Sequence, residues 1–301
     1  MNTFSKIFII AAAALTLAMP LSAKGVLVGK MEGKLLTTGN GRVMIIDPSG
    51  KIIWKHRGGN CSDIWMLPDG NILFADNNVR EIDPKTGKQV FLYKPAVKKG
   101  GGAFSCQRLK NGNTLVGENS TCRILEVDKK GKIVFKLQLP LYKPGRHQNL
   151  RMVRKLENGN YLVCHSGPKL VREYTPEGKV VFEAKVKTLA FSALRLPDGN
   201  TLVGDLDRVV EFNPEGKQVW ELDKKQIKDV KIGKICGINV LPNTHLLLGI
   251  YAANRSKDGA SVLEITRKGK IIWRYYNPKG DRAMMSSQML DNDGKPLSNL
   301  R

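Results

Sequence analysis

The sequence predicts an all-β protein, a six-bladed β-propeller of four-stranded blades. Three observations predict this fold. A Gly-Lys-x-(Ile/Val)-(Trp/Phe) pattern recurs along the chain, a second pattern built on Asp-Gly or Asn-Gly alternates with it, and no stretch after residue 24 shows sustained helical periodicity. Repeats of four short strands every 40 to 50 residues are typical of propeller blades. Seven blades and a β-sandwich remain as alternatives.

The first pattern predicts the outer hairpin of each blade. In its fuller form, Asp-Pro-x-Gly-Lys, proline pre-sets φ and glycine takes the left-handed position of a tight turn. Six copies, separated by 37, 44, 47, 38 and 53 residues, begin at Gly50, Gly87, Gly131, Gly178, Gly216 and Gly269.

The second pattern predicts the inner hairpin. LPDGNILFAD begins at Leu67, and related segments begin at Leu109, Leu156, Leu196 and, in degraded form, Leu241. Each places Asp-Gly or a similar turn between two β-like runs, which is the strongest short-range hairpin signal. The fifth unit then contains four strands, which are AFSALRL, NTLVGD, RVVEFNP and KQVWEL.

The two ends of the repeat array predict how the ring closes. The first copy supplies only GKLLTTG, RVMIID and KIIWKH, whereas the last copy is followed by an additional strand, SSQML, and by the turn DNDG. We therefore expect residues 286–297 to pair with the first blade. This closure removes open sheet edges.

The first 23 residues have the pattern of a secretory signal peptide. Lys6 precedes the apolar run IFIIAAAALTLAM, and PLSA ends on a small residue. The run is short for a membrane span, and no cysteine follows it as a lipid anchor. We expect cleavage after Ala23, a single propeller domain over residues 24–301, and a periplasmic or secreted location without a transmembrane span.

The chain is strongly basic, with a formal net charge of +22, or +21 once Lys6 is removed. Such a charge attracts polyanions. The lysines are dispersed, with one at each Gly-Lys turn, whereas a nucleic-acid-binding protein more often clusters them with stacking aromatic residues. We therefore do not expect nucleic acid as a partner. The expected partner is a glycan, another anionic polymer or a protein.

The five cysteines are Cys61, Cys106, Cys122, Cys164 and Cys236. Their odd number leaves at least one thiol without an intramolecular disulfide partner. The cysteines could pack in the core, form one disulfide or act in catalysis. Free cysteines are most often buried as small apolar side chains. No C-x-x-C spacing is present, so no metal site is predicted.

The loop lengths predict which face of the propeller carries a ligand site. With strands named A to D from the axis outward, the A–B and C–D turns share one face, the turn face. The B–C and D–A connections share the opposite loop face. Long D–A connections such as YKPAVKKGGGAF, LPLYKPGRHQN and LDKKQIKDVKIGK lie there. Variable loops on a rigid scaffold commonly carry function.

Polar residues at the starts of A strands and the ends of B strands predict a polar mouth of the channel. They either line a water-filled channel or bind a polar ligand. The predicted ligand-binding set is Asp63, Asp76, Ser105, Gln107, Glu118, His147, Asn149, Arg151, His165, Ser192, Asp205, Asn239 and Gln288. His147 and His165 are also the candidate catalytic residues, with a carboxylate among Asp63, Asp76, Glu118 and Asp205. The remaining histidines, His56 and His245, have structural positions.

The repeats are similar to those of quinoprotein-like propellers, whose D-x-x-G-K-x-x-W motif docks a tryptophan. The longer pattern, LPDGN-x-L followed by DP-x-GK-x-x-W, resembles bacterial arylsulfotransferases, which have six blades. That resemblance implies a channel histidine that accepts a sulfuryl group, at His147-Gln148-Asn149 or Cys164-His165-Ser166. Tryptophan occupies only three of the six docking positions and no adjacent cysteine pair occurs, so no pyrroloquinoline quinone or other cofactor is expected.

The function that the sequence favours is an exported, non-catalytic binding module. It recognises a glycan, a peptide or a protein partner through the face that holds the channel mouth. The alternative is a periplasmic enzyme with its active site at the same mouth, either a polysaccharide hydrolase or lyase or a sulfuryl transferase.

Overall fold

A computed structural model describes residues 25–39, 41–59, 61–97, 99, 101–143, 149–278, 280, 282–298 and 300–301. The predicted signal peptide and its cleavage site lie outside these residues, so the predictions of export and of domain boundaries stay predictions. In the part of the chain that the structure describes, no helix is long and apolar enough to cross a membrane.

The described residues form six antiparallel sheets that follow one another around a ring, as the sequence predicts, rather than seven. Blade 1 contains β2 (Lys34–Gly39), β3 (Arg42–Ile46), β4 (Ile52–Arg57) and β25 (Ser287–Leu290). Blade 2 contains β5 (Asp63–Met66), β6 (Ile72–Ala75), β7 (Val79–Ile82) and β8 (Gln89–Tyr93). Blade 3 contains β9 (Ala103–Arg108), β10 (Thr114–Glu118), β11 (Arg123–Val127) and β12 (Ile133–Gln138).

The second half of the ring has the same organisation. Blade 4 contains β13 (Val153–Lys155), β14 (Tyr161–His165), β15 (Leu170–Tyr174) and β16 (Val180–Lys185). Blade 5 contains β17 (Ser192–Arg195), β18 (Thr201–Gly204), β19 (Arg208–Phe212) and β20 (Gln218–Asp223), followed by one 3-10 turn (Lys224–Gln226). Blade 6 contains β21 (Lys234–Val240), β22 (Leu246–Tyr251), β23 (Val262–Ile265), β24 (Ile271–Tyr276) and β1 (Val26–Gly29).

The predicted turns form through short-range hydrogen bonds. At the first Gly-Lys turn, Asp47 Oδ1 accepts hydrogen bonds from the backbone N–H groups of Ser49 and Lys51, and Gly50 has a φ of 79°. The degraded inner turn of blade 6 has no glycine. Thr244 takes the left-handed position there, with a φ of 66°. A β-branched residue rarely adopts this conformation, so the fold imposes it there.

Both ends of the chain close the ring. Strand β25 pairs with β2 from Leu290 opposite Lys34 to Ser287 opposite Thr37, which confirms the predicted closure. A second contact was not predicted from the sequence. Strand β1 pairs with the outer strand β24 of blade 6, so that this blade has five strands. The first and last blades are therefore each completed by a strand from the other end of the chain.

Ion pairs between neighbouring blades reinforce the ring near the turn face. In blades 2 to 6, the aromatic residue of the Gly-Lys pattern lies opposite a buried glutamate of strand C, for example Phe91 opposite Glu81. Most of these glutamates pair with a cation of the next blade. The pairs are Glu81–Arg108, Glu126–Lys155, Glu173–Arg195 and Glu211–Arg267, and in blade 6 the intrablade pair Glu264–His245.

The five cysteines are buried and free, in agreement with the core-packing interpretation. Burial raises the pKa of the Cys122, Cys164 and Cys236 thiols to about 12. They are therefore protonated at neutral pH, and a protonated thiol is a poor nucleophile.

The closure predicts a large loss of stability on truncation. A chain that ends at Met285 lacks β25 and leaves the inner edge of β2 unpaired. We expect its melting temperature, measured by circular dichroism, to fall by more than about 10 °C. A chain that ends at Leu297 keeps β25 and is the control. Equal melting temperatures for the Met285 truncation and the full chain would contradict this role of β25.

Candidate functional site

The central channel is covered at the turn face. After β25 the chain crosses the turn-face end, where Leu297 N–H donates to Met289 O and Leu300 pairs with Val240. The side chain of Arg301 then enters the channel and contacts the ring of Trp65, with its guanidinium carbon 4.3 Å from the ring centroid. The carboxyl-terminal residues therefore close the turn-face end of the channel.

The channel itself is narrow. Its axial cavity is lined by Asp63, Phe104, Arg151, Arg154, Asn239, Met285 and Arg301, among others. The cavity has a volume of only about 10 Å³. A sugar ring or a peptide does not fit between these walls, so a ligand of that size would lie at the mouth.

Asp63 is the centre of a buried network. Its carboxylate forms a bidentate ion pair with Arg154, with distances of 2.8 Å from Nη1 to Oδ2 and 3.0 Å from Nη2 to Oδ1. Ser105 Oγ and the backbone N–H of Cys106 each donate to Oδ2 at 3.1 Å. Both ion-pair partners are almost fully buried. These bonds join the inner strands of blades 2, 3 and 4.

Other predicted channel residues also link adjacent inner strands. Gln107 Oε1 accepts from Lys155 N–H at 2.9 Å, and Gln288 Oε1 accepts from Met66 N–H at 2.7 Å. Asn239 Nδ2 donates to Ser287 O at 3.0 Å. Because an inner strand has no sheet neighbour on its axial edge, these side chains satisfy backbone groups that would otherwise be unpaired.

Two predicted residues shape the loop-face mouth. The guanidinium carbon of Arg151 lies 4.4 Å from the ring centroid of Phe104 and 4.1 Å from that of Phe191. Asn149 holds the preceding loop, because its Oδ1 accepts from Tyr142 N–H at 2.9 Å and its Nδ2 donates to Lys143 O at 3.1 Å. Ser192, a third predicted residue, is buried at the start of β17.

The acidic residues predicted at the ends of B strands are neutralised by arginines of the following C strands. Asp76 pairs with Arg80 at 3.0 Å, Glu118 with Arg123 at 2.6 Å and Asp205 with Arg208 at 2.6 Å. Glu118 also accepts a hydrogen bond from Tyr93. None of the three lines the axial cavity. The predicted acidic ring is thus a set of local ion pairs that hold the B–C connections.

His165 is buried in an aromatic cage. Its Nε2 lies 2.8 Å from the Tyr174 hydroxyl, and the rings of Tyr142 and Tyr174 both pack against the imidazole ring in T-shaped contacts. Burial, with a smaller contribution from the charge of Arg172, lowers the pKa of His165 to about 3. His147 lies outside the described residues, so the proposed pairing of the two histidines stays a prediction.

Sequence reasoning missed three residues of the channel, which are Trp65, Arg154 and Arg301. A signal for two of them exists. Trp65, Gln107, Arg154 and Asn239 each lie two residues before the leucine that opens an inner turn, and all four make contacts at the axis. Arg301 has no such repeat signal. In the part of the chain that the structure describes, no group of three metal-ligating side chains occurs.

The exposed charges of the two faces differ. Among described residues, the loop face exposes Lys94, Lys99, Lys143, Lys169, Lys187, Lys225, Lys228, Arg255, Lys257 and Arg282, none of which has an ion pair with another described residue, against the single exposed acid Asp229. The turn face exposes acids as well as lysines, including Asp69, Glu157, Glu177, Asp198, Glu215 and Asp293. The loop face therefore has fewer exposed acids to offset its exposed cations than the turn face has.

Part of this charge lies on the connections around blade 6; we call Lys228, Tyr251, Arg255, Lys257 and Arg282 the blade 6 patch. Three connections form it. Residue 231 bridges to residue 259, and Ala253 N–H donates to the backbone oxygen of Arg282 at 2.9 Å. Tyr251 is 49% exposed, a high value for an aromatic residue at a strand end.

Comparisons with known proteins support the fold. No protein family model matches the sequence, and no curated protein is similar to it. A protein of unknown function from Bacteroides caccae is 25% identical, with a TM-score of 0.72 over 85% of this chain and 98% of that chain. The resemblance to quinoprotein and arylsulfotransferase repeats therefore stays a prediction beyond the β-propeller fold itself.

Two further structural neighbours are lyases. A streptogramin B lyase is 15% identical, with a TM-score of 0.60 over 92% of this chain and 90% of that chain. A catalytically inactive virginiamycin B lyase from Staphylococcus aureus, solved with quinupristin, is also 15% identical, with a TM-score of 0.56 over 85% of this chain and 89% of that one. At this identity the likeness shows a shared β-propeller fold.

The cage around His165 predicts a pH-dependent contribution to stability. Because the folded pKa lies below the unfolded value of about 6.5, the unfolded chain binds the proton first as pH falls. The stability that neutral His165 provides is complete above about pH 6.5 and is lost progressively toward pH 3. We expect His165→Gln to reduce the free energy of unfolding more at pH 7.5 than at pH 4.5, as measured by urea denaturation.

The control for this experiment is Tyr174→Phe, which removes the same hydrogen bond but leaves the imidazole in place. Its effect should change much less between the two pH values. A loss for His165→Gln that is the same at both pH values would contradict the lowered pKa.

Proposed function

We propose that this protein is an exported, non-catalytic binding module that holds an acidic glycan on its loop face. The observation that carries the proposal is the blade 6 patch, which combines four exposed cations that have no ion pair with another described residue and one exposed tyrosine. Long lysine and arginine side chains attract carboxylate or sulfate groups, and an aromatic ring presents an apolar face to the ligand. The narrow channel favours recognition at the surface over recognition in a deep pocket.

The arrangement of the candidate catalytic groups also favours binding. Asp63, Asp76, Glu118 and Asp205 all form ion pairs with arginines, so each of them is already engaged within the protein. His165 is buried away from the axial cavity. General acid–base catalysis requires a titrating group within hydrogen-bond reach of the substrate. The described carboxylates and His165 supply no such group at the mouth.

Charge reversal on the patch tests the proposal. We expect Lys228→Glu combined with Lys257→Glu to weaken binding to polygalacturonate at least about tenfold, because attraction becomes repulsion at two positions. Isothermal titration calorimetry measures the affinity. The matched control is Lys130→Glu with Lys179→Glu, which makes the same change in net charge on the turn face. Equal effects of both pairs would show that net charge alone, and not the patch, attracts the polymer.

The same measurement at several salt concentrations separates electrostatic recognition from recognition by shape. Exposed charges are screened over about 10 Å at 0.1 M salt, so the affinity of the parent protein should decline steeply as salt rises. Neutral dextran, which lacks the carboxylates, should not bind. An affinity that does not change with salt would assign recognition to the uncharged channel mouth.

A turnover assay distinguishes the binding module from the enzyme alternative. For a binding module, polygalacturonate incubated with the protein should show neither new reducing ends nor the ultraviolet absorbance of an unsaturated product. His147→Ala should then leave the affinity within about tenfold of the parent. Turnover that falls by about 100-fold or more in His147→Ala, with an unchanged melting temperature, would instead establish catalysis at the mouth.

A further inference from the structure

Two guanidinium groups, those of Arg154 and Arg301, line the axial cavity together with one carboxylate, that of Asp63. Arg154 is only 4% exposed. Cations that leave water require a compensating partner, because transfer of an isolated charge to a medium of low dielectric constant costs many kilocalories per mole.

Asp63 has no capacity left for a second arginine. Its oxygens accept from Arg154 twice, from Ser105, from Cys106 N–H and from its neighbour Ile64 N–H at 3.1 Å. A carboxylate offers about four lone-pair directions, and these five donors occupy them. The charge of Asp63 is therefore balanced by Arg154.

Arg301 forms no ion pair of its own with another described residue, although Asp63 lies near enough to attract it. Its Nη2 donates to the backbone oxygen of Ile64, but its buried Nε and Nη1 atoms have no hydrogen-bond acceptor. The Nε of Arg154 is likewise buried and has no acceptor. Both guanidinium groups contact Trp65, with guanidinium carbons 4.3 Å and 4.9 Å from its ring centroid. Burial lowers the pKa of Arg301 to about 9; the nearby Asp63 opposes this shift and Arg154 adds to it, so Arg301 is still cationic at neutral pH.

We propose that the axial cavity is a binding site for one small inorganic anion of the size of chloride, held by Arg301 and Arg154. The space that admits a water-sized sphere, about 10 Å³, corresponds to a single small occupant. An anion there accepts hydrogen bonds from the unpaired guanidinium N–H groups and neutralises the excess charge. This site is distinct from the glycan surface on the loop face, because it lies inside the channel.

The proposal predicts that the anion stabilises the closed ring. Arg301 ends the segment that crosses the turn-face end of the channel, so an anion bound to it holds that segment against the inner strands. A ligand that binds only the folded state raises stability with its concentration, and the increase follows the occupancy of the site.

Thermal denaturation in chloride tests this. Chloride is varied from zero to about 200 mM, with gluconate replacing it so that ionic strength and general screening stay constant. Gluconate is too large for the cavity. We expect the melting temperature of the parent protein to rise with chloride, and Arg301→Gln, which removes the charge at similar length, to lose this rise. Arg57→Gln, an exposed change at the end of β4 and outside the blade 6 patch, should retain it. A melting temperature that is the same in chloride and gluconate would overturn the proposal.

Crystallography with bromide provides a second test that does not require a variant. Bromide replaces chloride and scatters anomalously, so crystals grown in bromide should show an anomalous peak within hydrogen-bond distance of the Arg301 guanidinium. Density without an anomalous peak at that position would show that water alone occupies the cavity, and the proposal would be wrong.

Discussion

The pairing of β25 with β2 is the interaction on which the rest of the structure depends. A propeller blade cannot bury both faces of its sheet alone, so each blade requires a neighbour on both sides, and the last blade must meet the first. In this chain the carboxyl-terminal segment supplies the inner strand of blade 1, and β1 adds an outer strand to blade 6. The inner strands are held around the axis only when the ring is closed, and every contact in the channel follows from that closure.

The polar side chains at the axis mainly form hydrogen bonds and ion pairs between neighbouring inner strands. The axial edges of the inner strands carry backbone groups with no sheet partner, and Asp63, Ser105, Gln107, Asn239 and Gln288 satisfy several of them. Removal of one partner from a buried ion pair such as Asp63–Arg154 typically costs about 3–5 kcal/mol, because the other charge is left uncompensated. A polar channel lining is therefore weak evidence for a ligand in a propeller, whereas cations that exceed their partners point to an anion.

The two faces of the propeller differ in loop length and in exposed charge. The turn face repeats short Asp-Gly and Gly-Lys hairpins, and its lysines are accompanied by acids in the same turns. The loop face has connections of unequal length, and ten of its exposed cations have no ion pair with another described residue. Exposed acids offset many lysines of the turn face, whereas the loop face has few exposed acids. A chain whose lysines are dispersed in the sequence thus has its least compensated exposed charge on the loop face.

The sequence by itself determined the blade count, the strand order and the position of nearly every turn. These features depend on local φ preferences and on repeated motifs that are each only about ten residues long. It also identified Asp63, Arg151 and Asn239 as residues near the axis. It did not identify the partner of Asp63, since Arg154 is 91 residues away in the chain and its partner is set by the circumferential order of the blades. Nor did it show that Asp76, Glu118 and Asp205 are neutralised by Arg80, Arg123 and Arg208, or that His165 lies in an aromatic cage. The entry of Arg301 into the channel likewise depends on the path of the chain after closure. Only the tertiary structure decides such contacts, because burial and charge compensation depend on neighbours in space, which a local pattern does not contain.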